Sequence, residues 1–327
     1  MNNLRTHYAG EVLEKDIDSE IVISGWVKKH RDLGELIFMD IRDISGICQV
    51  VINNEDLKIF DIAKTLKMEY VVSVKGKVRK RQDINPNIPT GTIEIVASEI
   101  ELINKSLPTP ISIEDEIEAS EETRMDYRYL DLRRPIIQEK LFVRSAITKS
   151  VRKFLDNNRF LEVETPILTK STPEGARDYL VPSRVNHGEF YALPQSPQIY
   201  KNLLMIAGLD RYYQIVKCFR DEDLRAERQP EFTQIDIETS FLNEIQIREL
   251  IEKMLKEVVK DVKGIEMKED FPILSYDFAM DNYGNDKPDL RFDLKIIDVK
   301  DCFETSDFKV FKDAEYLRCL KIENEAS

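Results

Sequence analysis

Hydrophobic and polar residues alternate through most of the first third of this chain of 327 residues. Such alternation is typical of β-strands with one face on a hydrophobic core, because successive side chains point to opposite faces. The β-branched runs with this pattern are IVISGWVKKHR, LIFMDIRD, ICQVVI, YVVSVKGKVRKR and GTIEIVASEIELI. A segment of helical spacing, EDLKIFDIAKTLK, lies between the third and fourth runs. The pattern therefore predicts five strands, with one helix after the third.

This order of elements is that of the OB-fold, a five-stranded barrel that commonly binds single-stranded nucleic acids. We expect the barrel to occupy residues 1–104. Residues 105–123 follow, with two prolines, no glycine and many acidic side chains. This composition is typical of a linker between domains.

The remaining two thirds of the chain mix helical and strand patterns. A long run, IIQEKLFVRSAITKSVRKFLDNN, predicts a helix that leads into a strand ending at Pro166. Its apolar residues at roughly helical spacing are Leu141, Ile147, Val151, Phe154 and Leu155. Further strands are predicted near residues 189–193, 212–222 and 232–241, and helices near 197–207 and 244–261. The pattern weakens after about residue 285.

The strands near 212–222 and 232–241 flank a loop in which nearly every residue is charged, DEDLRAER. With a period of two, one face of this hairpin carries Val216, Cys218, Arg220, Glu222, Phe232, Gln234, Asp236 and Glu238. The opposite face, directed at the core, carries Ile235, Ile237 and Phe241. Burying so many polar groups without partners is costly, whereas a charged ligand would satisfy them. An ordinary exposed hairpin remains the alternative.

Composition and charge exclude several classes of protein. The chain is 42% hydrophobic and 33% charged, with a net charge of −13, which argues against nucleic-acid binding by the whole surface. Basic clusters remain at KKHR (28–31) and KGKVRKR (75–81), although solvated strand ends carry such runs too. Rossmann GxGxxG and P-loop GxxxxGKS motifs are absent from the sequence, and the three histidines lack metal-ligand spacing.

The cysteines and the N-terminus indicate the compartment. The four cysteines form no CxxC pair, so we expect reduced, mostly buried thiols and neither a disulfide frame nor a zinc site. The N-terminus lacks the apolar core of a signal peptide, and no run approaches the length of a membrane span. A cytoplasmic protein is expected.

Several longer motifs resemble those of one enzyme class. FRDEDLRAERQPEF resembles motif 2 of the class II aminoacyl-tRNA synthetases, and FLEVETPIL, with Pro166, resembles motif 1. The barrel with GWVKKHRDLGELIFMDIRD narrows this likeness to the Asp/Asn/Lys subclass. STPEGARDYLVPSR and YALPQSPQIYKNLLM are similar to segments of the bacterial-type aspartyl-tRNA synthetases. The likeness covers nearly the whole chain.

The resemblance implies an α+β protein in which the barrel is followed by an antiparallel sheet flanked by helices. It assigns residues 1–104 to anticodon binding and 124–284 to a catalytic domain with motifs 1 and 2 only. Residues 285–327 resemble the start of an inserted domain. Motif 1 implies a homodimer with Pro166 at the interface.

The implied reaction activates L-aspartate with ATP, in the presence of Mg²⁺, and transfers it to tRNA-Asp. Arg220 is the candidate for binding the α-phosphate, with Glu222 as the second catalytic candidate; Gln229 and Phe232 complete the ATP site. The loop DEDLRAER would reach the acceptor end of the tRNA. The candidates for binding aspartate are Glu174, Ser196, Gln198, Lys201, Arg220 and Asp236.

In the barrel, the resemblance makes Phe38 a stacking platform for an anticodon base, whereas a core aromatic is the alternative. Arg31, Gln49 and Glu94 would hydrogen-bond to neighbouring bases. Phosphate contacts are assigned to Lys28, Lys29 and Arg81.

The sequence departs from the class in one respect. Motif 3, a Gly-rich strand and helix ending in Arg, is missing after Glu238, and no two of the 11 glycines are spaced as GxG. We therefore expect a fragment of a longer enzyme, weakly active or inactive alone, with an exposed apolar edge that promotes aggregation. The alternatives are a non-catalytic tRNA-binding protein derived from a synthetase and a related enzyme for asparagine or lysine.

Overall fold

The computed structural model describes residues 5–172, 174–225, 228–291 and 294–322. These form two compact units, divided between Leu141 and Phe142. The division falls within one long helix, so each unit contains part of it. Over the described ranges, no helix is both long and apolar enough to span a membrane.

The first unit contains a closed barrel with the strand order β1-β2-β3-β5-β4. Its strands are β1 (Glu20–Asp32), β2 (Leu36–Asp43), β3 (Gly46–Asn53), β4 (Val71–Lys80) and β5 (Ile93–Asn104), with helix α1 (Leu57–Thr65) after β3. Two 3-10 helices, Ala9–Glu11 and Glu14–Asp16, precede them. This arrangement confirms the predicted OB-fold, including the position of its helix.

Local chemistry explains the barrel. The inward positions of the alternating runs, such as Ile21, Ile23, Ile37 and Met39, are fully or almost fully buried in one core. Asp56 caps the N-terminus of helix α1, and its carboxylate accepts hydrogen bonds from the backbone of the first turn. Gly76 lies at a bulge where a Cβ atom would approach the backbone oxygen of Val96 to 2.3 Å, so this position excludes any side chain.

Residues beyond the barrel in the first unit form two short helices, α2 (Glu121–Asp126) and α3 (Arg128–Asp131). Ile111, Ile113 and Leu130 make a small separate core here. Glu114 pairs with Lys28 on β1 at 3.4 Å, so the segment after the barrel also forms an ion pair with it.

The second unit is built around a three-stranded sheet, β10-β9-β6, in which β9 and β10 are antiparallel. Its helices and strands are α4 (Pro135–Asn157, shared with the first unit), β6 (Leu161–Glu162), β7 (Leu180–Pro182), β8 (Phe190–Ala192), α5 (Gln198–Ile206), β9 (Arg211–Phe219), β10 (Glu231–Thr239) and α6 (Glu244–Lys263). Smaller elements follow: α7 (Tyr276–Tyr283), β11 (Ile296–Asp298), the 3-10 helix Lys300–Phe303, α8 (Lys309–Lys312) and β12 (Arg318–Leu320). The two units together confirm the α+β class.

Helices α4 and α6 cover one face of the sheet. Val151, Phe154 and Leu155 of α4 pack with Tyr213 of β9 and Met254 of α6. This confirms the helical spacing predicted for the C-terminal half of α4. Leu141, further toward its N-terminus, is half exposed.

Four side chains expected to be buried are exposed: Phe241, Ile235, Cys302 and Cys319. Phe241 is 96% exposed, because β10 ends at Thr239 and the alternation cannot be extended past the end of a strand. Ile235, on the outer strand of this three-stranded sheet, is also exposed. Of the cysteines, Cys48 and Cys218 are buried but Cys302 and Cys319 are exposed, and all four thiols are free.

Candidate functional site

The hairpin of β9 and β10 arranges the polar side chains that the alternation predicts. Phe232 lies opposite Cys218, Gln234 opposite Val216, and Asp236 opposite Gln214. Residues directly opposite each other in an antiparallel pair point to the same face of the sheet. The shared face of Phe232, Gln234, Asp236, Val216 and Cys218 is therefore confirmed.

Arg220 lies one residue past β9 and lines a cavity of about 330 Å³. Its backbone N–H donates to the Pro230 carbonyl at 2.9 Å, and its guanidinium carbon lies 5.1 Å from the centre of the Phe232 ring. The buried Nε of Arg220 has no hydrogen-bond partner within the described part of the chain. A cation with unused donors beside an aromatic ring can bind the phosphate of a nucleotide whose base stacks nearby.

The other candidates for ATP binding, Glu222 and Gln229, line this same cavity. Glu222 also lies 3.5 Å from Arg228, across the mouth of the charged loop. Two residues of that loop, Ala226 and Glu227, lie outside the described ranges. The structure therefore brings all four candidates for the nucleotide site together around one cavity.

Lys201 of α5 lies between two carboxylates of β10. Its ammonium is 3.0 Å from Asp236 Oδ1 and 3.2 Å from Glu238 Oε2, and the side chain is largely buried. Burial acts to lower the pKa of Lys201, but the hydrogen bonds and charges of Asp236 and Glu238 outweigh it and raise the pKa. Lys201 is therefore held in its charged form.

One carboxylate oxygen of Asp236 is available to accept a hydrogen bond from a ligand. Its second oxygen, Oδ2, is buried without a hydrogen-bond partner among the residues described. Burial raises the pKa of Asp236, and the hydrogen bond from Lys201 only partly offsets that rise. A buried carboxylate oxygen without a donor is an available acceptor for a ligand ammonium group.

Glu174 and Ser196 are also brought together, since the Ser196 hydroxyl donates to Glu174 Oε2 at 3.1 Å. Gln198, in contrast, is exposed on the first turn of α5, and its side chain makes no hydrogen bond within the ranges described. Glu238 was not among the sequence candidates for aspartate binding. The alternation TQIDIET, which places Glu238 on the face of Asp236, was the signal for it.

A second cluster lies on the outer surface of the barrel. Phe38 is half buried and lies between the fully buried Ile37 and Met39, so its ring points away from the core. The guanidinium carbon of Arg31 lies 5.5 Å from the Phe38 ring centre. This position argues against the alternative interpretation, that Phe38 is a core aromatic.

Hydrogen bonds connect the other barrel candidates into a chain. Arg31 donates to Gln49 Oε1 at 3.1 Å, and Gln49 Nε2 donates to Glu94 Oε2 at 2.8 Å. Arg79, which sequence reasoning did not select, donates to the remaining oxygen of Glu94 at 2.8 Å. These residues and Phe38 line one open cavity of about 640 Å³.

The three candidates for phosphate binding lie in different surroundings. Arg81 lines the barrel cavity. Lys28 pairs with Glu114 instead, and Lys29 is exposed. A bulge in β1 between Val27 and Lys29 shifts the register at this point. Pro166 is exposed just after β6, beside the exposed Ile167 and Leu168.

Comparison with known proteins identifies the domains to which these two clusters belong. Residues 21–103 match the OB-fold nucleic acid binding domain, and residues 120–314 match the tRNA synthetases class II (D, K and N). An aspartate--tRNA ligase of Streptococcus agalactiae is 54% identical over 98% of this chain and 56% of its own length. An aspartate--tRNA(Asp/Asn) ligase of a Geobacillus species is 58% identical over 95% of this chain and 53% of its own.

Solved structures of tRNA synthetases share this fold. The asparaginyl-tRNA synthetase of Pyrococcus horikoshii, complexed with asparaginyl-adenylate, aligns with a TM-score of 0.69 and 27% identity, covering 79% of this chain and 58% of that one. A putative aspartyl-tRNA synthetase of Leishmania major aligns with a TM-score of 0.70 at 22% identity, covering 80% and 53%. The chain spans about half the length of the curated relatives it matches. It belongs to the class II tRNA synthetases of the D, K and N group.

Proposed function

We propose that this protein acts in aspartate–tRNA ligation, activating L-aspartate with ATP and transferring it to tRNA-Asp. The observation that carries the proposal is the division of one sheet face into two binding regions. Arg220 and Phe232 form one region, and Lys201 with Asp236 forms the other. Phe232 and Asp236 are four residues apart on β10, which is about 13 Å along a strand. A nucleotide joined to an amino acid can bridge that span.

Activation is an in-line displacement at phosphorus. An oxygen of the aspartate α-carboxylate forms a bond to the α-phosphorus of ATP, and the bond from that phosphorus to pyrophosphate breaks. The protein contributes by positioning the reactants and stabilising the developing negative charge. Arg220 supplies that charge stabilisation, Phe232 stacks on the adenine, and Glu222 and Gln229 contact the nucleotide from the same cavity.

Aspartate is recognised by charge complementarity. Lys201 binds the side-chain carboxylate, while Asp236 and Glu174 accept hydrogen bonds from the substrate ammonium, with Ser196 orienting Glu174. Gln198, at the start of α5, is the outermost contact of this site. Neutral asparagine is rejected, because Lys201 would lose a charged partner in a buried site.

Class II synthetases use ATP with a divalent metal, so ATP enters as its Mg²⁺ complex. Over the residues described, no three His, Cys, Asp or Glu side chains lie close enough together to hold a metal ion. Glu222 is the acidic side chain that lies nearest in sequence to Arg220 within the nucleotide cavity.

The tRNA is bound at two places in this proposal. Phe38 stacks on an anticodon base, while Arg31, Gln49 and Glu94 hydrogen-bond to base edges and Arg81, Lys28 and Lys29 contact phosphates. The loop after Arg220 contacts the acceptor end. We further propose residues 1–104 as the anticodon-binding domain, 124–284 as the catalytic domain, and a homodimer through motif 1 at Pro166.

ATP–pyrophosphate exchange tests the activation step. Aspartate, asparagine and lysine are compared as substrates, with the wild-type chain, Arg220→Ala and the matched control Arg248→Ala on the exposed side of α6. Aspartate-dependent exchange that is lost only in Arg220→Ala supports the proposal. Exchange with asparagine or lysine instead would assign a related specificity. No exchange, together with tRNA binding that depends on Phe38, would favour a non-catalytic tRNA-binding protein.

A further inference from the structure

Gln195, immediately before Ser196, is 2% exposed, and its amide is fully engaged with a single loop. Its Oε1 accepts the backbone N–H of Ala176 at 3.1 Å, and its Nε2 donates to the Ala176 carbonyl at 2.8 Å. The same Nε2 donates to Asp178 Oδ1 at 2.6 Å. A buried amide with all these bonds satisfied allows the loop little freedom, because each lost bond leaves a polar group unpaired.

Asp178 hydrogen-bonds to the residues at the N-terminal end of this loop. Its Oδ2 accepts the Ser171 hydroxyl at 2.7 Å and the Thr172 backbone N–H at 3.1 Å. Burial acts to raise the pKa of Asp178, but the hydrogen bonds from Ser171, Gln195 and Thr172 outweigh it and lower the pKa. The carboxylate is therefore held in its charged, hydrogen-bonded form.

The anchored loop contributes to both regions of the proposed active site. At one end, Glu174 accepts the Ser196 hydroxyl beside the amino-acid region. At the other, the Arg177 carbonyl accepts the backbone N–H of Asp221, the residue after Arg220. Gln195 bonds to the residue between these two contacts, so displacing Ala176 displaces Glu174.

We propose that Gln195 is a positioning residue that holds Glu174 where it accepts the ammonium group of the amino-acid substrate. The substrate part of this inference rests on the proposed function. Gln195 acts only through the loop and touches no substrate. Arg220 has attachments of its own besides the loop's bond to Asp221, because its backbone N–H donates to Pro230 and it directly follows strand β9. Loss of Gln195 should therefore weaken amino-acid binding and leave ATP binding nearly unchanged.

The test compares Gln195→Met, which keeps the size and removes every hydrogen bond, with the control Gln138→Met on α4 in the first unit. A milder variant, Ser171→Ala, removes one bond to Asp178 and leaves Gln195 intact, in case Gln195→Met fails to fold. Backbone amide exchange of residues 174–179 is measured by mass spectrometry. Dissociation constants for aspartate and ATP are measured separately by calorimetry.

We expect Gln195→Met to speed exchange in the loop by about tenfold or more, as the loss of buried hydrogen bonds implies. Its dissociation constant for aspartate should rise by about tenfold with that for ATP within about twofold, and Ser171→Ala should give smaller changes of the same kind. Unchanged loop exchange, or faster exchange with unchanged aspartate affinity, would overturn the inference. Absence of aspartate binding by the wild-type chain would overturn the substrate role, whereas the exchange measurement would still decide whether Gln195 holds the loop.

Discussion

Replacing Glu69 with Gln removes the negative charge from a buried ionic cluster in the first unit. Glu69 is 5% exposed, and its Oε2 accepts hydrogen bonds from Arg42 at 2.9 Å and from Arg133 at 2.7 Å. Arg42 is itself buried, whereas the Arg133 side chain is 29% exposed and lies 4.9 Å from the Trp26 ring. The substitution keeps the shape of the side chain, removes its charge and replaces one carboxylate oxygen with an NH2 group.

The burial of Arg42 and Arg133 determines how much stability Glu69→Gln should lose. Arg42 would stay buried without a counter-ion, and breaking a buried ion pair in this way costs about 3–5 kcal/mol. The partly exposed Arg133 adds about 0–1 kcal/mol. Because Gln retains one hydrogen-bond acceptor, we expect the free energy of unfolding to fall by about 3 kcal/mol. At about 3 °C per kcal/mol for a unit of this size, the midpoint of thermal unfolding should drop by about 10 °C.

Trp26 is the only tryptophan in the chain and lies in this cluster, so its fluorescence follows unfolding of the first unit directly. Urea unfolding of the wild type and of Glu69→Gln gives the difference. Glu99→Gln is the matched control, because its carboxylate pairs with Lys75 at 3.4 Å on the surface, and it should change stability by less than about 1 kcal/mol.

A double substitution tests the physical cause. Adding Arg42→Met to Glu69→Gln removes the unpaired buried charge, so the double variant should recover part of the lost stability. If Glu69→Gln stays within about 1 kcal/mol of the wild type, the cost assigned to the buried charge is wrong. If the two substitutions simply add, the guanidinium of Arg42 does not depend on Glu69.

Three further predictions concern other parts of the molecule. The hydrogen bond from Arg134 holds the pKa of the buried Asp131 below its ordinary value of 3.8. The stabilisation from the ionised Asp131 is therefore present above pH 3.8 and is lost as the pH falls below it. Urea midpoints measured between pH 6 and pH 3 should decline less steeply for Asp131→Asn than for the wild type. Phe38→Ala should weaken tRNA binding by about 1–3 kcal/mol in a filter-binding assay. Unchanged binding would show that the Phe38 ring stacks on no base. Phe241, with a φ of 59°, should be replaceable by Asn with less light scattering on heating and no loss of stability, because Asn adopts this conformation more readily; increased scattering would contradict this.

The sequence by itself determined the elements of the barrel and of the β9–β10 hairpin, and which hairpin side chains share a face. Alternation depends only on the backbone geometry of a strand, so it predicted the five barrel strands and the common face of Phe232 and Asp236. It failed at Phe241 because it contains no signal for the end of a strand. The long motifs also identified the family, which the match of residues 120–314 to the class II synthetases confirms.

Only the tertiary structure decided which distant side chains meet. Arg42 and Arg133 converge on Glu69 from positions 27 and 64 residues away, and Gln195 holds a loop 19 residues earlier in the chain. Lys201 meets Asp236 and Glu238 because α5 packs beside β10. Such contacts depend on topology and on how each buried charge finds a partner, and local periodicity carries no record of either.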